Sequence, residues 1–156
     1  MPTTRPSSEA SHAPQMGQAA RHVTSLLTRL AAWAPDQGDL CAVGVVGSFA
    51  RGMGRPDSDL DLILLTSLPE RYLSERSWLS TFGEWLSAEE EDWGEITCLR
   101  VFYRTGLEVE FGVGRPAWAS LPPDEGTRHV VVGGLLPIYD PLGLLQRLQA
   151  GCSLLP

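Results

Sequence analysis

The chain has no Cys-x-x-Cys pair and no Cys/His cluster. Its three cysteines, Cys41, Cys98 and Cys152, are odd in number and far apart, which argues against a zinc-ligand set or a disulfide framework. Cys41 and Cys98 fall in apolar, strand-like runs and read as small core residues. No apolar stretch reaches the ~18 residues that a membrane span requires. The N-terminal residues also lack the apolar core of a secretory signal, so cytoplasm is the expected location and no membrane partner is expected. Bases are scarce, 12 against 19 acids, for a net charge of −7. Proteins that wrap nucleic acid do so by neutralising phosphates, so nucleic acid is not an expected partner. A small nucleotide that brings its own magnesium is compatible with this charge. The histidines His12, His22 and His129 are scattered, and none is read as catalytic.

The 156 residues suffice for one domain, which should bury roughly two-thirds of its unfolded surface. No internal repeat is present. Residues 1–15, rich in Pro, Ser, Thr and Ala, read as a disordered tail, and 16–156 as a single domain. Ala19, Ala20, Val23, Leu26, Leu27, Leu30 and Ala31 recur at helical spacing and predict an amphipathic helix over 16–34, ended by Pro35. Strands are expected over 40–46, 59–66, 95–104 and 107–113, the last two as a hairpin turning at Gly106, with a further short strand over 135–139. One or two helical turns are expected over 48–53, and short helices near 69–74 and 116–119. Trp78, Leu79, Phe82, Trp85 and Leu86 predict a helix over 76–88, followed by a solvated acidic run, Glu89 to Asp92. Asp124 is read as the cap of a segment to Val132, and Leu142, Leu145 and Leu148 suggest a final helix. The class is α/β (α+β), a mixed sheet of 4–5 strands packed by helices.

The chemistry concentrates in residues 47–61. Gly47 and Ser48 follow an apolar strand. A glycine there lets the backbone approach a ligand closely, and the opening of a helical turn favours an anion. Arg51, one turn on, can pair with phosphate oxygens. Asp59 and Asp61 lie i, i+2 on a strand, so their side chains leave the same face. Paired carboxylates repel unless a cation lies between them, and magnesium commonly uses one or two carboxylates together with substrate phosphates. Ser58 beside them can orient a carboxylate or bind phosphate. Glu108 and Glu110 share one face of their strand, opposite the apolar Leu107, Val109, Phe111 and Val113, and either can supply a third carboxylate. Most of the five tryptophans read as core. Trp93 and Trp118 flank the site strands and are placed to line a base or acceptor pocket.

The Gly47-Ser48 pair followed by Asp59-x-Asp61 resembles the signature of the polymerase-beta-like nucleotidyltransferase superfamily. The resemblance covers residues 40–113, and more weakly 134–140. It implies a mixed sheet packed by helices on one side. It also implies transfer of a nucleoside monophosphate from a triphosphate to an acceptor hydroxyl, with Mg2+, in a two-metal site, as cofactor. It favours Glu110 over Glu108 as the third carboxylate, a Glu where many relatives carry Asp. Catalytic and metal-binding roles then fall to Asp59, Asp61 and Glu110, and nucleotide contacts to Gly47, Ser48, Arg51 and Ser58. Members of the superfamily modify aminoglycosides, tRNA ends, proteins and other nucleotides. Few residues, 114–156, follow Val113, so the acceptor site is expected to be small, built with a homodimer partner, or absent. The length resembles minimal members, some of which act as antitoxins on a toxin partner. The alternative to an enzyme is a non-catalytic nucleotide-sensing or antitoxin-like module on the same fold.

Overall fold

The computed structural model describes residues 8–52, 54 and 59–153. Helix α1 (Ser8–Trp33) leads through a 3-10 turn (Ala34–Asp36, with Pro35 in its first turn) into β1 (Leu40–Val46). Strand β2 (Leu60–Thr66), α2 (Pro69–Ser74) and a 3-10 helix (Ser77–Phe82) follow, then β3 (Trp85–Asp92), β4 (Ile96–Tyr103) and β5 (Glu108–Gly114). A short 3-10 helix (Pro116–Ala119), α3 (Glu125–Val132), β6 (Leu135–Tyr139) and α4 (Leu144–Ser153) complete the chain. Among the described residues, no helix is long and apolar enough to cross a membrane.

The strands form one six-stranded mixed sheet in the order β3-β4-β5-β2-β1-β6. Every pair is antiparallel except β2 with β5, which is parallel. The expected 4–5 strands thus become six. The central strands β1 and β2 are buried along nearly their whole length, which explains why they read as continuous apolar runs rather than alternating ones.

One face of the sheet carries Val43, Val45, Leu60, Leu62, Leu64, Val109 and Phe111, packed against Val23, Leu26 and Leu30 of α1 and Leu79 and Phe82 of the 3-10 helix. Trp33 and Trp78 stack at 5.6 Å between ring centroids, and Trp78 meets Phe111 edge-on at 5.0 Å. The other face carries Ala42, Val46, Ile63, Leu65 and Ile96 against Trp118, Val131, Leu145 and Leu148. Helical segments therefore cover both faces, where the family resemblance implied one.

The helix expected over 76–88 is not formed as such. Trp78, Leu79 and Phe82 reach the core from a single 3-10 helix, which stops at Gly83 with φ +140. That backbone conformation disfavours a side chain. Trp85 and Leu86 instead open β3, and the acidic run Glu89 to Asp92, expected as a solvated loop or helix end, is the rest of that strand. Strand β3 lies at the edge of the sheet and is mostly exposed. Arg76 pairs with Glu90 at 2.9 Å. Helix α1 begins at Ser8 rather than at 16, within the segment expected as a tail, and residues 1–7 lie outside the described residues.

The junction of β1, β2 and α2 is tied by Asp39. Its carboxylate accepts from Thr66 Oγ1 (2.6 Å) and Arg71 Nη1 (2.9 Å). Burial pulls this carboxyl upward, but the Thr66 hydrogen bond, the nearby Tyr72 hydroxyl and the Arg71 charge outweigh it and hold Asp39 below its ordinary value.

Leu30 is fully buried between α1 and the sheet, whereas Leu86 on β3 is 60 % exposed. Leu30→Ala is expected to cost about 2–5 kcal/mol in urea unfolding, and Leu86→Ala no more than about 0.5 kcal/mol. Similar costs for the two would mean that α1 does not dock on the sheet.

Candidate functional site

The site is built where β1 ends and β2 begins. Val46, the last residue of β1, pairs with Asp61, and Gly47 then turns the chain with φ +79. The Gly47 carbonyl accepts from the backbone N–H of Ala50 (3.1 Å) and Arg51 (3.3 Å), winding residues 47–52 into tight turns that carry Ser48 near their start. A Cβ on Gly47 would lie 2.8 Å from Asp61 Oδ2. The glycine is required twice, by the backbone angle and by the carboxylate pressed against it. The Gly47 N–H donates to the Gly134 carbonyl (3.3 Å), and Arg51 Nη1 donates to the Gly133 carbonyl. The turn is thereby fastened to the segment between α3 and β6.

Register assembles the carboxylates. The parallel pairing of β2 with β5 sets Asp61 opposite Glu110 and Leu60 opposite Val109. Asp59 and Glu108, two residues back on each strand, fall on the same face. Asp59, Glu108 and Glu110 each offer an oxygen, all within 4.8 Å of one another. Asp61 stands beside them with Oδ1 buried and without a hydrogen-bond partner. Burial first, then Glu110 and Asp59, push the Asp61 carboxyl up to about 8. Glu110 goes the other way, held below its ordinary value by its hydrogen bond with Asp61 and by Arg100 against the effect of burial. Glu108 is raised by burial and by Asp59. Burial and the neighbouring carboxylates thus favour the protonated form of Asp61 over that of Glu110. An all-oxygen donor set with converging negative charge and an orphaned buried oxygen is what a hard divalent cation such as magnesium fits.

Arg100 was not anticipated. It lies on β4 opposite Glu110 and donates to Glu110 Oε1 from both Nε (3.1 Å) and Nη2 (2.6 Å). The signal was present: once 95–104 and 107–113 form a hairpin, alternation puts Cys98, Arg100 and Phe102 on the face of Glu108 and Glu110.

A cleft of about 670 Å³ opens beside these groups, lined by Gly47, Arg51, Asp61 and Glu110 at one end and by Ile96, Trp93 and Trp118 elsewhere. Trp93 is 53 % exposed and Trp118 is buried. Helix α3, capped by Asp124, which accepts from the Thr127 N–H, contributes Thr127, His129 and Val130 to the wall. His129 therefore lines the cleft, where sequence reading assigned it no role. Ser58 lies outside the described residues. Of the other residues singled out in the sequence, Gly47, Arg51, Asp61 and Glu110 meet at the cleft, Asp59 and Glu108 join the carboxylates, and Ser48 sits in the adjoining turn.

Comparison with curated proteins gives no match. Among solved structures, an aminoglycoside 6-adenyltransferase from Bacillus subtilis aligns with TM-score 0.46 and 10 % identity over 62 % of this chain and 35 % of its own. Cid1 in complex with the UTP analogue UMPNPP aligns with TM-score 0.43 and 13 % identity over 76 % and 34 %. A terminal uridylyl transferase 4 from Trypanosoma brucei with bound UPU aligns with TM-score 0.40 and 15 % identity over 72 % and 37 %. The chain thus spans about a third of the length of the structures it matches. In sequence, residues 36–106 match the family described as "Nucleotidyltransferase domain". That segment holds Gly47, Ser48, Asp59 and Asp61 and stops just before Glu108 and Glu110. Over that segment the chain is similar to nucleotidyltransferase domains.

Proposed function

We propose that the protein is a magnesium-dependent nucleotidyltransferase, moving a nucleoside monophosphate from a nucleoside triphosphate to an acceptor hydroxyl. The observation that carries this reading is the contact between the Gly47 turn and Asp61, with Asp59, Glu108 and Glu110 converging beside it. A tight turn that carries Ser48 and a carboxylate set that a cation fits are thereby adjacent. The family match over residues 36–106 supports the same reading.

In this reading Gly47 and Ser48 receive the triphosphate at the turn, and Arg51 borders it. Asp59, Asp61 and Glu110 hold the cation, with Glu108 within reach. Magnesium bound there would offset the triphosphate charge and lower the pKa of the attacking hydroxyl. Glu110, held below its ordinary value by Asp61 and Arg100, lines the cleft from β5. The acceptor, and the base of the donor, occupy the cleft between α3 and the sheet, where Trp93, Trp118 and Ile96 supply apolar wall. Such surfaces accept flat rings without demanding a particular one.

Calorimetric titration with ATP, GTP, CTP and UTP in magnesium tests the reading. At least one triphosphate is expected to bind wild type, and Asp61→Asn to weaken it by at least about tenfold. The variant replaces a carboxyl already protonated near neutrality, so the metal-free protein should melt no lower than wild type. Unaltered triphosphate binding by a folded Asp61→Asn protein would sink the assignment.

A second outcome follows from the proton on Asp61. The folded-state value, raised to about 8, means that native protein holds a proton that the unfolded chain releases above about 4. Stability of the metal-free protein from this group therefore falls as pH rises from about 4 to about 8. A cation must displace that proton. Magnesium–nucleotide affinity should then rise with pH up to about 8, with proton release visible as a dependence of the binding heat on buffer ionisation. A flat pH profile would contradict the raised Asp61 carboxyl.

A further inference from the structure

Arg100 stands among more negative charge than it can neutralise. Its guanidinium reaches Glu110 at 2.6 Å, Glu108 at 3.4 Å and Glu91 at 3.7 Å. The two contacts to Glu110 both end on one oxygen, Oε1, so the arginine does not make the two-oxygen clasp that fixes an arginine–carboxylate pair most firmly. Glu108 and Glu110 are also two of the three residues whose oxygens converge with Asp59. A guanidinium and a divalent cation would thus draw on the same two glutamates. Arg100 is partly exposed, with a third of its side chain open to solvent, so it has room to turn away.

We propose that Arg100 is a resident counter-cation of the carboxylate cluster, and that a divalent cation enters by exchange against it. The inference deepens the nucleotidyltransferase reading, since it concerns how that same site is loaded. Without the cation, the arginine offsets the mutual repulsion of Glu91, Glu108 and Glu110 and keeps the β4–β5 pairing intact across their side chains. With the cation, the two positive groups compete for Glu110. Free cation is bound weakly for that reason. A cation arriving on a triphosphate brings anionic oxygens of its own, which offset the repulsion from the guanidinium. The site then fills with cation and nucleotide together rather than with cation first.

The opposite role is physically distinct. If Arg100 served to orient Glu110 for the cation, removing it would weaken cation binding. The sign of the change therefore decides. Magnesium chloride alone is titrated calorimetrically into the full chain of wild type, Arg100→Gln and Arg100→Lys, and each protein is melted in chelator and in magnesium. Arg100→Gln is expected to bind free magnesium about tenfold more tightly than wild type. It is expected to melt lower than wild type in chelator and to recover on adding magnesium, while wild type responds little. Arg100→Lys keeps the charge but cannot span both glutamates, and should tighten free-magnesium binding by about threefold; it carries the test should Arg100→Gln melt too low to titrate. Equal or weaker magnesium binding by folded variants overturns the exchange and makes Arg100 an orienting residue. The exchange is read from magnesium alone and the transfer reading from magnesium–nucleotide binding, so either can fail without the other.

Discussion

The parallel pairing of β2 with β5 is the constraint on which the site depends. Parallel neighbours need a long crossover, and here the chain spends residues 67 to 107 on it, including α2, the 3-10 helix, β3 and β4. The return sets Asp61 opposite Glu110. Because side chains alternate, a slip of one residue would turn both glutamates into the core and bring Val109 and Phe111 to the cleft. The apolar side of β5 prevents this, since Val109 and Phe111 are fully buried beneath α1 and the aromatic cluster. Core packing on one face thus fixes carboxylate geometry on the other.

Crowding of like charges is the counterpart of that geometry. Asp61 is pressed against a residue with no side chain, and burial with Glu110 beside it pushes its carboxyl up. Arg100 offsets part of the remainder from β4. The cluster therefore gathers like charges that Arg100 offsets in part, and in the proposed function the remaining repulsion is what a cation would relieve. Such local conflict is usual where chemistry, rather than packing, has selected the residues.

Much of this was legible in the sequence because the signals were local. The Val-rich run of β1, the Gly47-Ser48 turn, the carboxylates at i, i+2 and the alternation of β5 each need only a few neighbouring residues to interpret. The Asp124 cap and the strand at Leu135–Tyr139 were legible for the same reason. Residues 76–92 were misread because Trp78, Leu79, Phe82 and Trp85 mimic helical spacing, while their burial is decided by α1 and Phe111, far away in sequence. The acidic run gave no strand signal at all, because an edge strand exposed on both faces has no apolar alternation to show. Arg100 was missed for a third reason: its meaning exists only across a hairpin, in the residue it faces.

That exposed edge has a consequence for the behaviour of the protein in bulk. A strand at the border of a sheet offers unpaired backbone groups to any other chain, and charged side chains are a common guard against such pairing. On β3 the guard is Glu89, Glu90, Glu91 and Asp92. Two copies meeting along this edge would bring like charges together, so their repulsion acts over roughly the ~8 Å Debye length of physiological salt and shrinks towards ~3 Å at 1 M. Repulsion between copies along β3 is thus set by ionic strength and weakens in concentrated salt.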